Sequence, residues 1–258
     1  MLNPNARFLL GESLSVSAIL IRGENKLRII DNEELIYSYI NQPYLQAFFS
    51  SFDLSKIQLC SYTKGECMIT AGEPLQNLYF VVKGKVKVFT VTPEDKRLII
   101  RFVKAPVTLG DIEFANEEAA MNFVEASTDC MAICVSYKHV KEEIGNDINF
   151  LYFLLKSIAQ KFRTKTNFTS FIVLYPVEVR FASYLLSIST DTEGTMFREE
   201  MKNSSILDIA DMIGTSYRHL NRVIQKLCHQ KIIERVNGSI HIKNIDKLRE
   251  LAKNNVYE

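Results

Sequence analysis

Ile209-Ala210-Asp211-Met212-Ile213-Gly214-Thr215-Ser216-Tyr217-Arg218-His219-Leu220-Asn221-Arg222-Val223 is the stretch on which the reading of this chain turns. Before the glycine, Ile206, Ile209, Ala210 and Ile213 repeat at helical spacing, with Ser204 or Ser205 available as N-cap. After it, Leu220, Val223, Ile224 and Leu227 repeat the same way along a second helix, Tyr217–Gln230. Gly214-Thr215-Ser216 between them is a tight turn. Burying both apolar stripes leaves Arg218, Asn221, Arg222 and Gln225 on one outward face, with Tyr217 and His219 near the helix start. Arginine and the amide side chains are the groups whose donors and acceptors match guanine and adenine edges in a major groove. Ser216 as N-cap, beside freed backbone amides, suits a phosphate. A solvated charged helix face would carry the same residues, so the flanking sequence has to decide.

Downstream, Ile232–Val236 and Ser239–Ile242 flank Asn237-Gly238, a strong two-residue hairpin signal. Helix, glycine turn, helix and hairpin together form a winged helix-turn-helix. Charge agrees. The chain as a whole is nearly neutral, with 31 Lys and Arg against 30 Asp and Glu. Residues 214–253 nevertheless hold 9 basic and 3 acidic side chains, whereas residues 51–146 hold 11 basic and 13 acidic ones. Local basicity is what a phosphate backbone meets, and Lys226, Lys231, Arg235 and Lys243 add to it.

Upstream, Val177–Ile188 reads as an amphipathic helix and Ser189–Lys202 as a polar linker. Before Pro176 a helix of about 28 residues starts at Asp147 or Asn149, roughly 42 Å long at 1.5 Å per residue. That exceeds what a compact β domain covers, so Phe150, Leu154, Ile158 and Phe162 are expected to pair with a second copy of the chain. A short helix, Lys138–Ile144, precedes it, with Gly145-Asn146 expected as a left-handed cap.

Further back the period is two. Ile57–Tyr62, Glu66–Thr70, Leu78–Lys83, Lys85–Val91, Arg97–Lys104, Asn122–Thr128 and Cys130–Ser136 are short and β-branched or aromatic. Turn signals separate them, Leu109-Gly110-Asp111 among them, and no helix is expected in between. This is an antiparallel sandwich or barrel. Residues 43–52 have helical spacing; in residues 1–40, Ile19–Ile21 and Leu27–Ile30 suit short strands and Glu33–Ile40 a short helix.

The chain resembles the Crp/Fnr superfamily of transcription regulators over about residues 45–245, and within it the YeiL-like branch. The resemblance rests on Leu78-Tyr79-Phe80-Val81-Val82-Lys83-Gly84-Lys85-Val86, on Leu109-Gly110-Asp111-Ile112-Glu113 and on the helix-turn-helix stretch quoted above. It implies an α+β chain in four parts. Residues 1–45 form an N-terminal extension, and 46–146 an antiparallel β-roll, the jelly roll of cyclic-nucleotide-binding domains. Residues 147–176 form a long dimerisation helix, and 177–258 a winged helix-turn-helix with Ser216, Tyr217, Arg218, His219, Asn221, Arg222, Gln225 and Lys226 toward DNA.

The expected job is that of a bacterial, cytoplasmic transcription regulator acting as a homodimer on double-stranded DNA, with RNA polymerase as partner if it activates. The alternative is a cyclic-nucleotide-binding module that reads no DNA. In the resemblance the effector pocket falls on Gly110, Asp111, Glu113, Ala120 and Met121. Ala120 and Met121 stand where cyclic-nucleotide binders carry an Arg-Ser pair for the phosphate, so cyclic AMP is not the expected effector.

No cofactor is expected either. Residues 1–59 lack the clustered cysteines of an iron–sulfur sensor, and the five cysteines and four histidines show no zinc spacing. Packed thiols are the ordinary reading of such cysteines, and a redox switch the sharper one. No nucleophile–base pairing or phosphate-binding loop marks an enzyme. No apolar run nears the roughly 18 residues of a membrane span, and no secretory signal opens the chain.

Overall fold

The computed structural model describes residues 28–49, 52–189, 205–236 and 239–253. The strand expected at Ile19–Ile21, most of the 189–202 linker and the Asn237-Gly238 turn lie outside them. The chain enters through strand β1 (Arg28–Ile30) and helices α1 (Glu33–Ile40) and α2 (Pro43–Phe49). The β-roll follows: β2 (Ile57–Tyr62), β3 (Cys67–Ile69), β4 (Asn77–Lys83), β5 (Lys85–Val91), β6 (Arg97–Lys104), β7 (Val107–Leu109), helix α3 (Asp111–Asn116), β8 (Phe123–Ala126) and β9 (Cys130–Ser136). Helices α4 (Tyr137–Ile144), α5 (Ile148–Leu174) and α6 (Val177–Ser189) lead to the head. That comprises α7 (Ile206–Met212), α8 (Tyr217–His229), the hairpin β10 (Ile233–Val236) and β11 (Ser239–Ile242), and α9 (Ile245–Leu251).

The roll is two antiparallel sheets, β1-β2-β9-β4-β7 against β3-β8-β5-β6. Alternation along the strands assigns each side chain to a layer. Inside the roll pack Cys60, Tyr79, Val86, Val88, Val124 and Ala132. Outside the five-stranded sheet, Phe80 meets Phe48 and Phe49, and Phe48 in turn meets Phe150, joining α2 and α5 to the roll. Outside the four-stranded sheet, Phe89, Ile99 and Phe123 continue into Phe181, Tyr184, Ile209 and Met212, so roll and head share one core.

Several expectations change. The Gly110 turn leads into a helix, α3, and β7 and α9 are additional elements. Gly145 is right-handed, at φ −57°, and the chain turns instead by Asp147 N–H bonding Ile144 O at 2.9 Å. Asp147 is then the cap of α5, accepting from Asn149 N and Phe150 N at 2.8 and 2.9 Å. Helix α6 is not amphipathic: every position from Val179 to Ser187 is buried, and its apolar side chains belong to the core shared by roll and head.

The correction that matters most concerns α5. Phe150 and Leu154 are 3% and 9% exposed, and Ile158 packs half-buried on the same core. These three serve the chain's own roll. Phe162 is 72% exposed, in line with Ile148, Tyr152, Leu155 and Val173, all of which face outward.

Candidate nucleic-acid interface

Local chemistry fixes the helix-turn-helix before packing does. Ser205 caps α7 through a reciprocal pair: its Oγ accepts from Asp208 N, and Asp208 Oδ2 accepts from Ser205 N. Gly214 sits at φ +62°, a left-handed turn position, and a Cβ there would lie 3.2 Å from Arg180 Nη1. Arg180, reaching from α6, donates to Ile213 O and Gly214 O and so holds the turn from beneath. Nothing in the motif itself pointed to Arg180; its signal was an arginine flanked by Val179 and Phe181 in a helix expected to pack. Ser216 then caps α8, its Oγ accepting from His219 N at 3.2 Å.

On α8 the four inward residues, Leu220, Val223, Ile224 and Leu227, are all buried. Tyr217, Arg218, His219, Arg222, Gln225 and Lys226 are exposed, as expected of a reading surface. Two of the named groups are already engaged. Asn221 Nδ2 donates to Tyr217 O at 3.1 Å, and Lys226 Nζ pairs with Glu178 Oε1 at 2.7 Å. The β10–β11 hairpin stands beside this helix with Arg235 exposed and Lys243 paired to Glu234 at 3.0 Å.

The residues read as an effector pocket each have contacts of their own. Gly110 is left-handed, and Tyr137 Oη donates to its carbonyl at 2.7 Å. Asp111 turns toward α5, where Ser157 Oγ donates to Oδ2 at 2.7 Å and Lys161 Nζ pairs with Oδ1. Lys161 also donates to Thr108 O at 2.8 Å. Burial holds the Lys161 ammonium below its ordinary range, with Asp111 opposing. Glu113 is half-buried on α3. Ala120 is buried with its N–H on Glu73 O at 2.9 Å, whereas Met121 is 56% exposed.

Residues 59–147 match the cyclic nucleotide-binding domain family, and residues 179–251 match the Crp-like helix-turn-helix domain family. The chain belongs to the Crp/Fnr family. It is 23% identical over 200 residues to the regulatory protein YeiL of Escherichia coli O157:H7, covering 76% of this chain and 85% of that one. It is 25% identical over 182 residues to the cAMP-activated global transcriptional regulator CRP of Haemophilus influenzae, covering 70% and 81%. Among solved structures, the c-di-GMP-responsive regulator CLP of Xanthomonas campestris shares the fold at a TM-score of 0.63, with 17% identity over 77% of this chain and 97% of that one. A Crp/Fnr-family regulator of Eubacterium rectale does so at 0.66, with 14% identity over 84% and 97%.

As a Crp/Fnr protein the chain is a DNA-binding transcription regulator, and the module that reads no DNA is set aside. No helix among the described residues is long and apolar enough to cross a membrane. This Crp/Fnr chain also brings together two cysteines that spacing kept apart. Cys60 on β2 and Cys134 on β9 are diagonal neighbours, and Cys134 Sγ donates to Cys60 Sγ at 3.0 Å inside the roll. That bond favours the Cys60 thiolate and lowers its pKa, while the Cys134 thiol is pushed far up.

Proposed function

We propose that the chain acts as a cytoplasmic homodimer that reads an inverted repeat in double-stranded DNA, without cyclic AMP as its signal and without catalysis. One observation supports it above the rest. Ile148, Tyr152, Leu155, Ala159 and Phe162 follow one another along α5 in steps of four and three, and all are exposed. Thr166, Thr169 and Val173 continue the same line. A 4-3 repeat on an exposed face is the seam of a two-stranded coiled coil. A two-fold axis along α5 would set the two α8 helices side by side, each with Arg218 and Arg222 outward and one turn apart.

The pocket chemistry argues against cyclic AMP. Both Asp111 oxygens are engaged by Ser157 and Lys161, and positions 120 and 121 offer a cyclic phosphate no guanidinium. If the regulator activates, RNA polymerase is its partner on the promoter side. The test is selection of binding sites from a random duplex pool, with and without millimolar cyclic AMP. The expected product is an inverted repeat with half-site centres about 34–36 Å apart, the same in both pools. Enrichment of lone half-sites would contradict the dimer, and enrichment that depends on cyclic AMP would contradict the assignment of the pocket.

A further inference from the structure

The outer face of the β3-β8-β5-β6 sheet is where the roll meets the head. Phe89 and Phe123 stack there with ring centroids 5.2 Å apart, and Lys87 pairs across the strands with Glu125 at 2.8 Å. At the rim stands Arg97, the first residue of β6. Its Nε donates to Asp211 Oδ2 at 2.6 Å and its Nη2 to Asp208 Oδ1 at 2.8 Å. One guanidinium thus spans two carboxylates one turn apart on α7, the first helix of the DNA-reading motif. Its plane is also held from below, with Cζ 5.8 Å from the centre of the Phe89 ring.

Three features separate this contact from an ordinary surface ion pair. The side chains are only 20%, 34% and 19% exposed for Arg97, Asp208 and Asp211. The guanidinium fork makes two directed bonds, which fix an angle as well as a distance. The strand that carries it has a residue in each layer, since Ile99 packs in the core shared with the head while Ile100 and Val103 pack against the interior of the roll. Burial raises the Asp211 carboxyl above its usual range, with Arg97 opposing, so the carboxylate depends on its guanidinium.

We infer that Arg97, clasping Asp208 and Asp211, is a positioning residue for DNA reading: it holds the head at a fixed orientation on the β-roll. A head held in place loses less freedom when it docks in a groove, and that advantage belongs to the matched site. Phosphate contacts made without register gain little from it. The inference concerns one chain's own roll and head, and stands whether the regulator binds as one copy or two.

The experiment uses the full chain with Arg97→Gln, Asp211→Ala and their combination; Asp208 is left intact because it also caps α7. Affinity is measured for the enriched duplex and for a scrambled duplex. Each single change should weaken the enriched duplex about tenfold, an ordinary size for coupling between sites. The scrambled duplex should change by less than about twofold, and the combination should fall no further than either single change. Charge alone predicts something else, because removing a cation weakens attraction to DNA and removing an anion strengthens it. Tighter or unchanged binding by Asp211→Ala would therefore overturn the inference. So would equal losses on both duplexes, or losses that add in the combined variant. Should Arg97→Gln fail to fold, Asp211→Ala decides alone, since alanine at a half-buried helix position keeps the helix.

Discussion

Arg222 and Lys226 lie one turn apart on α8, yet their chemistry differs in the free protein. Arg222 is exposed, while Lys226 is paired with Glu178 across to α6. If Arg222 holds a guanine, Arg222→Ala should cost about 1–3 kcal/mol on the enriched site and relax the choice at one base pair. Lys226→Ala should weaken all sequences alike and lower the salt dependence by about one phosphate. Repeating the site selection with each variant at two salt concentrations checks both; an Arg222→Ala pool with the wild-type preference at every base pair would contradict the first. The thiols offer a second check. Cys60, Cys130 and Cys134 are buried, and Cys67 and Cys228 half-exposed, but burial raises the Cys67 thiol. Iodoacetamide followed by peptide mass mapping should therefore mark Cys228 first; early labelling of Cys60 or Cys134 would contradict the packing of the roll. The inward side chains of α8 were readable because a 3.6-residue period is a direct image of burial. Arg180, Lys161 and the Cys60–Cys134 pair were not, since their partners come from distant strands and helices that spacing does not locate.

Helix α5 shows where pattern reading ends. Its sequence carries apolar residues on two faces, Phe150-Leu154-Ile158 and Tyr152-Leu155-Phe162, and both have helical spacing. Periodicity says that two faces are to be covered; it does not say which covers which. The Phe48–Phe80 cluster of the roll settles the matter by taking Phe150. Leu154→Ala should then behave as a core deletion, costing about 2–5 kcal/mol of stability without changing the association state. Denaturant unfolding with sedimentation of the same variant tests this, and a stable monomer would contradict it. Short elements escaped for a related reason. Strand β7 has 3 residues and α3 has 6, too few for a period to register. The α6 stripe misled in the opposite direction, because a helix inside the core is buried on its polar side too. There Ser183 and Ser187 are fully covered, and Ser187 Oγ donates back to Ser183 O at 3.0 Å.

Roll, long helix and head are ordered along the chain as their sequence periods suggested, and the cyclic nucleotide-binding and Crp-like helix-turn-helix domain families match the first and the last. What no sequence pattern displayed is that the head rests on the roll through a continuous core, from Phe89 and Phe123 to Phe181 and Met212, with the Arg97 clasp at its edge. Contacts of this kind depend on the outer faces of elements far apart in the chain, 111 and 114 residues in the case of the clasp. The exposed seam of α5 makes the account complete only if a second copy covers it. The most direct measurement is sedimentation of the Leu155→Asp/Phe162→Asp variant, alone and mixed with the enriched duplex. Both side chains are exposed in the single chain, so the variant should keep its fold. The account predicts a folded monomer that no longer binds the inverted repeat at wild-type concentrations, while the unchanged chain sediments as a dimer and places two copies on each duplex. A variant that stays dimeric and holds the repeat with wild-type affinity would contradict it.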